Sequence, residues 1–129
     1  MNEAWRLAGS PVGVESLALE ECPSANRYYR TMQGRVVLSS DGRTYKQLVA
    51  WVGAKARVEV IEGGDVALWV VWARRAKRGD LDNRIKPLLD ALQGVVYRDD
   101  AQVARLVVVR VEAYESRVEP GMYVFWKRL

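Results

Sequence analysis

Read by its apolar and polar positions, the chain breaks into short strand-like runs, two helical stretches and two long runs rich in valine. Val14-Glu15-Ser16-Leu17-Ala18-Leu19 is short and partly alternating, which predicts an opening strand, and Cys22-Pro23-Ser24-Ala25-Asn26 ends it with turn-forming residues. Residues Asn26 to Arg30 then fall in a loop, and Val36-Val37-Leu38 predicts a brief strand. Ser39 or Ser40 suits the cap of a first helix, whose Tyr45, Leu48, Val49 and Val52 recur at i, i+3, i+4 and i+7 and so form one buried face.

Arg57 to Ile61 alternates charged and apolar residues, Glu62-Gly63-Gly64-Asp65 is a turn, and Val66 to Ala73 is almost wholly apolar. Together they predict a hairpin whose second strand is central and buried on both faces. The polar loop Arg74 to Gly79 leads into a second helix from about Asp82 to Gln93, with Ile85, Leu88, Leu89 and Leu92 on one face and Gly94 as its stop. Pro87 in its second turn removes a hydrogen bond and predicts a bent or tightened start. Val103 to Ala113 reads as a second buried strand, and Met122 to Trp126 as a last one, reached through Glu119-Pro120-Gly121. Helices that interrupt sheet hairpins imply an α+β fold: a single domain with a mixed β-sheet and two main helices on one face. Residues 1–13 are expected to be a loose extension, with the folded domain spanning 14–129.

A chain of 129 residues supports one core, so recognition and chemistry must share a surface. Twenty basic against sixteen acidic side chains give a formal charge of +4, a field that raises encounter rates with polyanions. The chain has no histidine and one cysteine, Cys22. That removes Ser-His and Cys-His nucleophilic systems, HExxH and cysteine-rich zinc sites, and internal disulfides. No run of about 18 apolar residues and no signal-peptide pattern is present, so the expected location is the cytoplasm, away from membranes.

Within that frame the stretch Gly79-Asp80-Leu81-Asp82-Asn83-Arg84-Ile85-Lys86, followed at the far end of the helix by Asp99-Asp100, carries the candidate chemistry. If the Val103 strand pairs beside the strand ending at Ala73, the strand ends bring Asp80, Asp82 and Asp100 together as hard oxygen ligands for Mg²⁺. Lys86, one turn after Asp82, would neutralise charge developing on a phosphate. Two plainer readings stand beside this one: Asp82, and with it Asp80, as acids favoured at a helix start by capping and the helix dipole, and Asp99-Asp100 as a solvated turn. Asp90 is expected to face solvent or to pair with Lys86.

Arg74, Arg75, Lys77 and Arg78 form a dense basic loop beside the acids, with Arg84 inside the helix, a pattern suited to phosphate contacts. Asn26, Arg27, Tyr28 and Arg30 combine amide, cation and ring, suited to a phosphate and an unstacked base, although core packing of Tyr28 or Tyr29 fits at least as well. Trp69 and Trp72 read as core, and Trp51 as core or dimer surface.

The run from Gly79 through Asp80-Leu81-Asp82-Asn83, Lys86 and Asp90-Ala91-Leu92 to Asp99-Asp100-Ala101-Gln102-Val103 resembles the RusA family of Holliday junction resolvases. Pro23-Ser24-Ala25-Asn26-Arg27-Tyr28-Tyr29-Arg30 is similar to the family's N-terminal P-S-x-N-x-x-Y-type segment, so the likeness extends from about Val14 to the end. The resemblance implies a homodimeric, Mg²⁺-dependent endodeoxyribonuclease, with Mn²⁺ able to substitute. It would be phage- or prophage-encoded, act in the bacterial cytoplasm without a small-molecule cofactor, and resolve four-way DNA junctions by paired symmetric nicks in recombination and repair. Family catalytic aspartates map onto Asp80, Asp82 and Asp100 and the family lysine onto Lys86, while Asp99 matches an acidic position as an outer ligand. Gly79 departs from members that carry an arginine directly before the first aspartate. A non-catalytic DNA-binding or regulatory protein, and a general metal-dependent nuclease for flaps or single strands, are the competing readings.

Overall fold

The computed structural model describes all of residues 1–129. The elements run α1 (Asn2–Leu7), β1 (Glu15–Leu19), α2 (Ala25–Tyr28), β2 (Tyr29–Met32), β3 (Arg35–Leu38), α3 (Ser40–Lys55), β4 (Val66–Arg74), α4 (Asp82–Ala91), β5 (Val103–Glu112), α5 (Ala113–Ser116) and β6 (Gly121–Arg128). Four strands form a mixed sheet in the order β1-β6-β4-β5, and β2 and β3 make a separate antiparallel hairpin. The fold is the expected α+β arrangement. No helix is long and apolar enough to cross a membrane.

β4 is central because it is the strand with apolar residues at nearly every position. It pairs parallel with β5 and antiparallel with β6. The period-2 geometry of a strand then splits its side chains between two cores. Val66, Leu68, Val70 and Trp72 enter the larger core, under Tyr45 and Val49 of α3 and Leu88 and Ala91 of α4. Val71 and Ala73 enter the smaller core on the opposite face, with Tyr123, Phe125 and Ala113.

That second face explains why residues 1–13 are not a loose extension. Asn2–Leu7 is helical, and Ala4 and Ala8 are buried against the underside of the sheet. Trp5 Nε1 donates to the Pro11 carbonyl at 2.7 Å and Lys127 Nζ to that of Val12 at 3.1 Å, tying the segment down. Two small residues one turn apart leave little apolar signal, yet they let a helix lie close on the sheet, so the folded unit begins before residue 14.

Three further expectations are corrected. Arg57–Ile61 is no strand: after α3 the chain turns at Arg57 (φ 58°), and Ile61 makes an isolated bridge to Tyr97. Alternation there reflects one buried residue, Ile61, rather than a ladder. β5 is an edge strand with many half-buried and exposed positions, because β4 is its sole neighbour. Residues 25–30 are a helical turn leading into β2, not a loop.

The two helices that position the site start as their sequences dictate. Ser39 caps α3, its Oγ accepting from Gly42 N at 3.0 Å. α4 opens tightly, with Arg84 N donating to Leu81 O at 3.1 Å, a three-residue closure that matches the effect expected of Pro87. Gly94 turns the chain away with φ 80°.

Candidate active site and nucleic-acid interface

β4 delivers the chain to the site, and its last residue sets the loop that follows. Arg74 is buried and forms a forked ion pair with Glu112 at the end of β5, Nε lying 2.9 Å from Oε2. It also donates to the Gly79 carbonyl at 3.2 Å. These bonds hold the Glu112 carboxyl below and the Arg74 guanidinium above their ordinary ranges. Arg74 is therefore a strut between strand ends and is withdrawn from the phosphate-contact set. Lys77 is drawn toward α5, 3.7 Å from Glu115 and over the Tyr114 ring at 5.6 Å. Arg75 and Arg78 remain exposed with no acidic partner for their side chains.

Asp80 and Asp82 follow at the mouth of α4, both exposed and neither in an ion pair. The capping reading does not account for Asp82. The N-cap position is Leu81, which has no side-chain cap bond, and Asp82 Oδ1 accepts merely from the adjacent Asn83 N at 3.0 Å. Asp99 is the opposite case. It caps the 3₁₀ turn Asp100–Gln102 in a reciprocal capping box, Oδ1 accepting from Ala101 N at 2.9 Å while Gln102 Oε1 accepts from Asp99 N at 3.0 Å. Capping explains Asp99, and an outer-ligand role has no support in its geometry.

Asp82, Lys86, Asp90 and Gln93 fall at i, i+4, i+8 and i+11, one stripe along α4 and its last turn. Lys86 is exposed, its Nζ 5.9 Å from the Tyr29 ring centroid. Asp90, contrary to expectation, turns to neither solvent nor Lys86: its carboxylate accepts from Tyr28 OH at 2.6 Å and lies 3.6 Å from Lys46 Nζ. Tyr28 is fully buried, so it is removed from the DNA-contact set. Burial, then the bond to Asp90, pushes its phenol well above the ordinary range. Burial and the charges of Asp90, Cys22 and Asp100 push Tyr29 up to about 12.

Asp100 docks at the far end of the stripe, its N–H donating to Gln93 Oε1 at 2.9 Å. β4 and β5 do pair, but in parallel, with Val66 opposite Val103 and Arg74 opposite Glu112. The chain must then return along α4 before β5 begins, so Asp100 lies at the opposite end of the strand pair from Asp80. Position 93 is roughly 16 Å along the helix axis from position 82 at 1.5 Å per residue. The idea that adjacent strand ends gather Asp80, Asp82 and Asp100 is thus overturned within one chain. No group of three or more acidic, histidine or cysteine side chains stands ready to hold a metal ion. The donors suit a hard cation by type, but one chain does not assemble them.

A cleft of about 320 Å³ is walled by Arg27, Arg75, Arg78 and Arg84 with Glu21 and Cys22; Asp80 is not on its wall but follows Arg78 by two residues along the chain. Arg27 pairs with Asp41 at 2.9 Å, while Asn26 and Arg30 are exposed on the neighbouring turn and hairpin. Glu21 accepts from Arg75 N at 2.8 Å. The Arg84 guanidinium lies 4.8 Å from the centroid of the Trp72 ring and donates through Nη1 to the Cys22 carbonyl at 2.6 Å. Trp72 is core, as expected, fully buried beneath that guanidinium. An apolar strand gives no sign that its last aromatic also lies under an arginine side chain.

Residues 19–120 match the family described as Endodeoxyribonuclease RusA. The chain is 35% identical over 98 residues to a protein named crossover junction endodeoxyribonuclease RusA from Escherichia coli K12, covering 74% of this chain and 82% of that protein. A protein of the same name from Shigella sonnei is 34% identical over 98 residues, with the same coverage. Another, from Enterobacteria phage 82, is 34% identical over 91 residues, covering 69% of this chain and 76% of the phage protein.

Proposed function

This chain belongs to the RusA family of endodeoxyribonucleases, and on that premise we propose that it resolves four-way DNA junctions by paired nicks, as a homodimer using Mg²⁺. The observation that carries the reading is the exposed, unpaired Asp80 and Asp82 at the mouth of α4, on the same stretch of chain as Arg75, Arg78 and Arg84, which wall a cleft. Cations that grip a phosphodiester beside hard oxygen donors are what cutting that bond requires.

A divalent ion, when bound, polarises the scissile phosphate and acidifies an attacking water. Asp80 and Asp82 would hold it from one chain, with Asp100 as the third carboxylate. Since Asp100 stands at the far end of α4, the third donor comes in this reading from a second copy of the chain, related by a two-fold axis. A two-fold dimer also suits the substrate, because a four-way junction has near two-fold symmetry and needs two opposed cuts. Lys86, one turn along from Asp82, places positive charge where the phosphate gains negative charge. Arg75, Arg78, Asn26 and Arg30 supply backbone contacts around it. The relatives include a phage protein, which supports a phage or prophage origin and action in recombination or repair within the bacterial cytoplasm.

The test is cleavage of a synthetic four-way junction against linear duplex and flap DNA, with Mg²⁺ or with EDTA, by wild type and Asp82→Asn. Junction-selective, EDTA-sensitive cutting lost in Asp82→Asn is expected. Equal cutting of all substrates would point to a general nuclease, and binding without any cutting to a regulatory protein.

A further inference from the structure

Gly79 carries φ +98°, and a Cβ placed on it would stand 3.0 Å from Arg84 Nη2 and 3.2 Å from Trp72 Cη2. The glycine leaves room for the guanidinium of a residue five positions on. Arg84 fills that room from the first turn of α4, stacked on Trp72 and tied to the Cys22 carbonyl. Its Nε is buried with no acceptor, and no ion pair in the molecule involves it.

The surroundings say what such a group is for. Of the four arginines on the cleft wall, Arg27 has an acidic partner and Arg75, Arg78 and Arg84 have none. Glu21, the acid on the wall, already accepts from a backbone N–H. Uncompensated cations gathered in a concavity concentrate a positive field, and a planar guanidinium matches phosphate oxygens. Arg75 and Arg78 ride an exposed loop and must be ordered on binding, whereas Arg84 is already clamped. It shares the first turn of α4 with Asp82.

Resting on the DNA-cutting reading above, we propose that Arg84, seated in the space Gly79 leaves, is the fixed anchor of a phosphodiester subsite beside Asp80 and Asp82, over which Arg75 and Arg78 close. Gly79 is then a positioning residue, because a side chain there would crowd the Arg84 guanidinium against Trp72 and strain a backbone held at φ +98°.

The experiment is junction binding in EDTA across a salt series, with thermal melts of each variant, so that it is independent of cutting. Arg84→Leu is expected to weaken binding about tenfold and to flatten the slope of log affinity against log salt by about one, as loss of one phosphate contact does. Arg84→Lys, which keeps the charge, recovers the slope. Gly79→Ala weakens binding in the wild-type background and adds nothing in the Arg84→Leu background, since the two share one contact. Arg6→Ala, the same charge loss on the far face of the sheet, changes neither quantity. If Arg84→Leu does not melt cooperatively, Arg84→Gln carries the same test. A folded Arg84 variant with wild-type affinity and slope, an Arg6→Ala loss of equal size, or a wild type that binds no junction would overturn the proposal. Cutting by the wild type is scored separately, and its absence alone would sink the nuclease reading while the binding series still decides the subsite.

Discussion

At the N-terminal end of α4, Asp80 and Asp82 stand exposed with no cation at ion-pair distance, whereas at its C-terminal end Asp90 is held by Tyr28 and Lys46 and Asp99 is consumed as a cap. Four aspartates of similar local sequence character thus divide into two unpaired carboxylates and two structural acceptors. The proposed ligand role falls on the pair that no cation of the chain has claimed. Asp100 stands between the two groups: its N–H is engaged by Gln93, and its side chain is in no ion pair.

The largest effect expected from this division is on cutting. Asp80→Asn, Asp82→Asn and Asp100→Asn should each lower junction cleavage by more than about 100-fold, beyond what loss of an outer-shell partner does, with binding in EDTA retained. Asp99→Ala should leave cleavage within a few-fold and instead lower stability by about 1 kcal/mol, seen in denaturant melts. If Asp99→Ala abolished cutting in a folded protein, the division between ligands and caps would fail.

Mixing folded Asp82→Asn and Asp100→Asn protein sharpens the comparison further. A site completed across the two-fold axis gives one intact centre in each mixed dimer, so nicking returns although each parent is inactive. No recovery, with mixed dimers demonstrated by mass, would place all three carboxylates in one chain after all.

The C-terminal end makes its own prediction through pH. Burial raises Tyr28, Tyr29, Tyr45 and Tyr97, with Tyr29 reaching about 12. A raised folded value means that the stabilisation is complete below the unfolded tyrosine value near 10 and is lost as pH climbs through the folded value. Circular dichroism should therefore hold steady to about pH 10 and fall above it, with tyrosinate absorbance rising at the same pH as unfolding. Tyrosinate signal from all six tyrosines near pH 10 in a still-folded chain would contradict the burial of this end.

The smallest effect is chemical. Cys22 is fully buried and its thiol is pushed well up, chiefly by desolvation. It should resist alkylation at neutral pH until denaturant is added, as read by mass. Rapid labelling of the native protein would show the cleft wall at Cys22 to be open.

Much of this was legible in order along the chain. The unbroken apolar run of Val66–Ala73 specified a strand covered on both faces, the spacing of Leu88 and Leu92 a buried helix face, and Ser39 a cap, while the Asp80-Leu81-Asp82-Asn83 run with Lys86 one turn on marked the segment proposed above as the site. These depend on neighbours within a turn or two, where backbone geometry alone decides which residues share a face. What the sequence did not determine was long-range placement: that β5 lies parallel to β4 and sends Asp100 to the far end of α4, that Arg74 is claimed by Glu112 thirty-eight positions away, and that α1 closes the second face. The same residue types satisfy a local pattern in either direction of pairing. Only the packed sheet, by choosing which strand ends meet, decides whether a charge is paired with a partner or left free for a phosphate.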